Sequence, residues 1–207
     1  MLQHCVEKLV DASITDIIVI TGGEHLGGIA EFLGSGKDYG CDFTFRVQDE
    51  AGGIAQALGL VEGFVRPGES MCVILGDNIF EEPLSPFVEK YAERLFNGAM
   101  VLLKQVEDPE RFGVPEFEVG RGKIVRIVEK SSDPPSGWAV TGIYFYDSRV
   151  FSIIRDLKPS DRGELEITDV NNAYVEAGQA GYVKMQGWWT DAGTMESYRK
   201  ANMLVAK

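Results

Sequence analysis

Apolar residues recur at helical spacing from the first turn of the chain, at Leu2, Cys5, Val6, Leu9 and Val10, and predict an amphipathic helix that starts with no capping residue before it. Ile17-Ile-Val-Ile20 is an unbroken apolar run and reads as a buried strand. Ala30 to Leu33 reads as helical, and Gly34-Ser-Gly36 breaks it. Phe43, Phe45 and Val47 alternate as a second strand, and Gly52-Gly53 leads into a helix over Ile54 to Phe64. Met71 to Leu75 is the next strand, followed by a helix from about Leu84 to Phe96.

This alternation of strand and helix predicts a doubly wound α/β sheet with parallel strands. The second half reads differently. Ala99 to Val106 is a strand, and Val114 to Val119 pairs with Ile124 to Val128 across the Gly120-Arg-Gly122 turn. Trp138 to Tyr146 is a strong strand, helices follow at Ser148 to Asp156 and Glu166 to Ala177, Gly181 to Met185 is a short strand, and a last helix runs from about Thr194 to Val205. No internal repeat or interdomain linker interrupts the pattern, so residues 1–207 read as a single domain, with Ser131 to Ser136 as a surface loop.

Composition narrows the function. No apolar stretch approaches bilayer length and no basic segment precedes a hydrophobic one, so the expected setting is the cytoplasm, without membrane partners. A net charge of -12 argues against nucleic acid, whose affinity comes from cationic contacts to phosphates. A phosphorylated ligand would need a metal ion or a few placed cations. Cys5, Cys41 and Cys72 match neither a zinc pattern nor a disulfide framework, and two histidines, His4 and His25, leave little room for histidine triads or His-rich metal sites.

Candidate chemistry clusters at strand ends. Met71 to Leu75 stops at Gly76-Asp77-Asn78, and ligands of open α/β sheets sit beyond the carboxyl ends of such strands. Gly76 allows a sharp turn, and Asn78 can bond its own backbone and so hold the carboxylate. Trp188 to Thr194 repeats the arrangement with Asp191. Two aspartates from separate strand ends could converge on one Mg²⁺, which takes one or two carboxylates together with waters and phosphate oxygens. The bland alternatives are an ordinary turn residue for Asp77 and a helix N-cap for Asp191.

Arg162 to Asn171 is a polar segment before a helix, where carboxylates could bind sugar hydroxyls and the Arg162 fork could hold a phosphate. Glu129-Lys130, closing a hairpin strand, could read a hydroxyl and a phosphate. Gln48 ends a strand ahead of Gly52-Gly53, and its amide could meet the edge of a nucleobase lying against Gly53. Solvated charges and a lone loop amide are the alternatives. Gly22-Gly-Glu-His-Leu-Gly27 has the wrong glycine spacing for a dinucleotide fingerprint and lacks the Lys-Ser/Thr of a P-loop, so it reads as the start of a helix.

Taken in order, Gln48 with Gly53-Ile-Ala-Gln-Ala57, Leu75 to Phe80, Asp108 to Val114, Val128-Glu-Lys130, Ala139 to Asp147, Arg162 to Asn171 and Asp191 to Thr194 resemble the glucose-1-phosphate thymidylyltransferases, or dTDP-glucose pyrophosphorylases, along the whole chain. The resemblance implies a Rossmann-like, mostly parallel mixed sheet flanked by helices. It also implies an enzyme that joins dTTP and glucose 1-phosphate by in-line attack and releases pyrophosphate, with Mg²⁺ as cofactor. Carried over, Gln48 and Gly53 would meet the base. Asp77 and Asp191 would hold the metal, with Asp77 also beside the nucleotide. Gly113, Glu129, Val140 and Trp189 would line the sugar, and Lys130 and Arg162 would grip its phosphate. Family members commonly form homo-oligomers.

The chain departs from the family pattern in places. Asp49-Glu-Ala51 replaces a proline-containing loop, which leaves UTP as an alternative substrate, Val128 replaces an acidic residue, and Ala192 replaces Thr. The family's opening strand and its glycine-rich loop, with a Gly-Thr-Arg element and a later Pro-Lys pair, have no counterpart here. An N-terminally truncated enzyme of impaired turnover is therefore expected, with a non-catalytic sugar-nucleotide-binding module as the alternative. The missing central strand predicts a gap, a rearranged pairing, or a strand from another chain.

Overall fold

The computed structural model describes residues 1–93 and 98–205. Helix α1 (Leu2–Asp11) buries Cys5, Val6 and Leu9, as its periodicity predicts. Strand β1 (Asp16–Gly22) then pairs in parallel with β2 (Asp42–Gln48). Between them, α2 (Gly23–Leu33) starts well before Ala30, so the glycines at 27 and 28 lie within a helix despite their low propensity. A 3-10 turn at Lys37–Tyr39 follows, leading into β2.

Helix α3 (Ile54–Gly59) is shorter than predicted: it stops at Gly59, and a separate 3-10 turn covers Glu62–Phe64. The break keeps Leu58 and Val61 in one buried cluster while leaving Phe64 half exposed. After β3 (Ser70–Ile74) comes β4 (Asn78–Phe80), which pattern alone did not announce, and then α4 (Ser85–Ala92). The predicted extension of that helix over residues 94–97 lies outside the described residues.

Strand β5 (Ala99–Gln105) precedes the hairpin β6 (Gly113–Phe117) and β7 (Ile124–Glu129), with a 3-10 turn at Pro109–Arg111 between. The chain ends with β8 (Trp138–Asp147), α5 (Val150–Asp156), α6 (Ile167–Glu176), β9 (Ala180–Lys184), β10 (Trp189–Asp191) and α7 (Met195–Val205). Among the described residues no helix is long and apolar enough to cross a membrane.

The central sheet has the order β3-β8-β5-β9. Strands β3, β5 and β9 run one way and β8 runs against them. Both faces of its middle are covered. Ala99, Val101 and Leu103 of β5 join Tyr144 and Tyr146 of β8 in one cluster, with α3, α5 and α6. Met100 and Leu102 join Ile143 and Phe145 in the other, with α1 and α4. Successive strand residues point to opposite faces, so two strands feed both clusters, as a doubly covered sheet requires.

The β1–β2 pair is a separate sheet. Among the described residues β1 pairs only with β2, and β3 only with β8. Their open edges face a hollow of about 1180 Å³, lined by Asp16 to Ile20 on one side and Ser70 to Ile74 on the other. Among the described residues this is a gap, one of the three expected arrangements.

Candidate active site

Asp77 follows β3 in the turn to β4, and Asp191 closes β10, the antiparallel partner of β4. The register sets Asp191 opposite Asn78, and the Ala192 N–H donates to the Asp77 carbonyl at 2.8 Å. A methyl group placed on Gly193 would lie 2.9 Å from Asp191 Oδ1 and 3.3 Å from Asp77 Oδ2, so the two carboxylates flank one point that a glycine leaves open. Burial raises the Asp77 pKa, the negative charge of Asp191 adds to the rise, and the hydrogen bond from Asn78 opposes it. Two carboxylates that repel each other across an open point suit a hard cation with remaining water or phosphate ligands.

Asn78 does not bond its own backbone as expected. Its Nδ2 donates to Asp77 Oδ1 at 2.9 Å, and its Oδ1 accepts from the Gly142 N–H at 2.8 Å and from Trp189 Nε1 at 2.7 Å. A side chain at Gly142 would sit 2.4 Å from Asn78 Nδ2, so this glycine is required by the asparagine. Asp191 is not the helix cap of the bland alternative: its Oδ1 accepts from the Gly193 N–H at 2.7 Å, and Thr194 Oγ1 takes the capping N–H of Ser197 at 3.1 Å.

Beside the carboxylates lies a hollow of about 140 Å³, whose wall includes the predicted Gly113, Glu129, Lys130, Val140 and Trp189. Trp189 is buried edge-on against Phe112 at 5.4 Å. Glu129 is fixed by Thr168, whose hydroxyl donates to Oε2 at 2.5 Å, while Lys130 Nζ is 3.7 Å from Oε1. A side chain on Gly113 would meet that Glu129 oxygen at 3.2 Å and the Thr168 hydroxyl at 3.3 Å.

Sequence reasoning missed Thr168, Asn171, Gly142 and Arg111, all in this wall. Thr168 and Asn171 stand one helical turn apart on the buried face of α6, the signal that could have found them. Asn171 Oδ1 accepts from Tyr146 at 2.6 Å, and its Nδ2 is the one buried side-chain nitrogen or oxygen among the described residues with no partner.

Ile54, Leu75, Glu129, Lys130 and Ile167 also border the larger hollow, which holds Gln48, Gly53 and Arg162. Gln48 Nε2 donates to the Gly53 carbonyl at 3.0 Å and to Gln56 Oε1 at 2.8 Å. The close approach that Gly53 permits is by the Leu165 backbone: with φ at +93°, its hypothetical side chain would sit 2.4 Å from the Leu165 carbonyl. This contact docks the Arg162 to Glu166 loop on the start of α3.

Arg162 is not an unengaged phosphate grip. Glu166 binds its fork at 2.8 and 2.9 Å, and Glu164 lies 3.6 Å away. Burial alone would raise the Glu166 pKa, but hydrogen bonds from Ser160 and Arg162 hold it below the ordinary value. The larger hollow is lined by five carboxylates, Asp16, Glu69, Glu129, Glu164 and Glu166, against two cations, Lys130 and Arg162.

Along all of residues 1–207 the chain matches the nucleotidyl transferase family. The chain belongs to that family. A glucose-1-phosphate thymidylyltransferase from Neisseria meningitidis serogroup A is 41% identical over 207 residues, covering 99% of this chain and 71% of that protein. The low-salt glycan biosynthesis nucleotidyltransferase Agl11 of Haloferax volcanii is 39% identical, with 57% of its length covered. A crystal structure described as a glucose-1-phosphate thymidylyltransferase from Bacillus anthracis, in complex with a sucrose, superposes with a TM-score of 0.92 at 56% identity and covers 98% of this chain and 81% of that one. A UDP-glucose pyrophosphorylase bound to UDP-glucose, 23% identical with a TM-score of 0.84, covering 99% of this chain and 85% of that one, shares the fold.

Proposed function

We propose that this nucleotidyl transferase joins dTTP and glucose 1-phosphate to give dTDP-glucose and pyrophosphate. The observation that carries the reading is the meeting of Asp77 and Asp191 at one open point beside a small hollow with a fixed carboxylate, Glu129, and a lysine, Lys130. Sugar hydroxyls suit Glu129 and the backbone around Gly113, with Val140 and Trp189 as apolar wall. The sugar phosphate suits Lys130 at the mouth, and Arg162 once it exchanges a Glu166 contact for phosphate. The base suits Gln48 and Gly53 in the larger hollow.

In the reaction, a phosphate oxygen of the sugar phosphate forms a bond to the α-phosphorus of dTTP as the bond to the bridging oxygen breaks, and pyrophosphate leaves with that electron pair. The protein's part is to align two anions and prevent their repulsion, since such transfers depend on positioning and charge stabilisation. Asp77 and Asp191 would hold Mg²⁺, which when bound neutralises charge between the two substrates. Asn78 and Thr168 keep Asp77 and Glu129 in place. Of the two cations bordering the larger hollow, Arg162 is already engaged by Glu166, so the chain's own cations give a triphosphate little support and weak turnover is the expected result.

The test is pyrophosphate release from dTTP, glucose 1-phosphate and Mg²⁺, with UTP in a parallel reaction. Release with dTTP that requires all three components supports the reading. Tight binding of dTDP-glucose with no release would instead favour a non-catalytic binding module. Greater release with UTP would move the base preference.

A further inference from the structure

Asn78 is 2% exposed, and three hydrogen bonds tie it to Asp77 just before it, to Gly142 in β8 and to Trp189 in β10. The indole N–H, the Asn78 carbonyl, the Asn78 amide N–H and the Asp77 carboxylate form one polar chain. It runs from the wall of the small hollow to the carboxylate pair. Both acceptor positions of the Asn78 oxygen are used, by Gly142 and Trp189, so the amide has one orientation, with its nitrogen toward Asp77. Hydrogen bonds linked through an amide polarise one another, most strongly where water is excluded.

We propose that Asn78 is a positioning residue that couples the Asp77–Asp191 pair to Trp189, so that binding of a divalent cation at the carboxylates and of a sugar phosphate beside the indole are thermodynamically linked. The proposal rests on the reading of Asp77 and Asp191 as cation ligands. A cation drawing charge from the Asp77 carboxylate weakens its pull on the Asn78 N–H. The Asn78 carbonyl then becomes a poorer acceptor, and the Trp189 N–H bond loosens. Any preference of the sugar phosphate for one indole setting feeds back on the cation with the same factor, because linkage is reciprocal.

The experiment follows the indole N–H resonances of the intact protein by NMR during a Mg²⁺ titration, with the Trp189 signal assigned from Trp189→Phe and cation binding measured in parallel by calorimetry. Trp138, at the start of β8 under Lys184, serves as the internal reference. The expected result is an upfield, saturable shift of the Trp189 signal with the calorimetric midpoint, and a change in Mg²⁺ affinity, by about fivefold or more, when glucose 1-phosphate is present. Asn78→Asp keeps an acceptor for Gly142 and Trp189 but removes the donor to Asp77. It should keep the indole hydrogen bond while losing both the shift and the linkage. Asn78→Ser, which does not add charge, should lose them as well. A Trp189 signal unmoved while calorimetry shows Mg²⁺ bound overturns the coupling alone. A wild-type protein that binds no Mg²⁺ overturns the cation reading and this inference with it.

Discussion

Asp77 and Asp191, separated by more than half the chain, present their carboxylates to the same empty point next to Gly193, at 3.3 and 2.9 Å from where a side chain there would begin. Two short strands make the meeting: β4 leaves Asp77, β10 ends at Asp191, and their antiparallel register aligns Asn78 with Asp191. Replacing either aspartate by asparagine should lower turnover by at least about 100-fold, since a positioned metal supplies several kcal/mol and each tenfold is about 1.4 kcal/mol. The same variants should not lower the melting temperature of the metal-free protein, because each removes one of two like charges. Thermal melts with and without EDTA check this.

The raised pKa of Asp77 has a consequence for stability in the absence of metal. A carboxyl whose pKa is higher in the folded state favours folding when protonated. Its contribution is present below the ordinary value of 3.8 and is lost as pH rises from there through the raised pKa. Glu166 has the opposite sign: its contribution is present above the ordinary value of 4.5 and is lost as pH falls through its lowered pKa. Melting temperature against pH should therefore show less loss across the upper part of this range for Asp77→Asn than for the wild type, and less loss at acid pH for Glu166→Gln.

Gly53→Ala tests the docking of the Arg162 loop. The new methyl would meet the Leu165 carbonyl at 2.4 Å, at a φ of +93° that a side chain disfavours. It would strain the pair of bonds from Ala55 N–H to the Leu165 carbonyl and from Leu165 N–H to the Gly52 carbonyl. The expected cost is about 2 kcal/mol or more, with faster amide exchange at Leu165 than at β5 in the same sample. Gly63→Ala, with nothing within 4 Å of the new methyl, is the control and should change stability little.

The unpaired edges of β1 and β3 predict that an added strand can be accommodated between them. A peptide of about six alternating Val and Ile residues, close to the usual strand length, should bind in the hollow against the open edges. At 100 times its dissociation constant it would stabilise the fold by about 2.7 kcal/mol and raise the melting temperature by roughly 5 to 10 °C. The same peptide with a central proline lacks a ladder N–H and should not. Equal effects of the two peptides, or none, would contradict the reading of the gap.

Much of the fold is legible along the chain because burial leaves a period. The strands at Ile17, Phe43, Met71, Ala99 and Trp138 all form where the apolar runs place them. Of the two three-residue strands that bring the aspartates together, β10 falls where Trp188-Trp-Thr190 leads into Asp191 as a short strand, while β4 is too short to carry a period of its own. Helix α2 begins seven residues before its apolar stretch, and that first half carries no signal because its glycines at 23, 27 and 28 are exposed and of low helix propensity. The candidate site divides in the same way. Asp77, Glu129 and Lys130 could be named because charged residues at strand ends suggest chemistry, whereas Val140 and Trp189 are reached only through the family resemblance. Thr168 and Gly142 could not, since their parts consist of fixing Glu129 and making room for Asn78, contacts that only the folded chain creates.

The central claim is that Asp77 and Asp191 together hold one divalent cation, and Mn²⁺ binding followed by electron paramagnetic resonance tests it most directly. The wild type should bind one Mn²⁺ at the strand ends, Mg²⁺ should displace it, and Asp77→Asn and Asp191→Asn should each abolish that site. Undiminished binding of one Mn²⁺ in both variants would contradict the account.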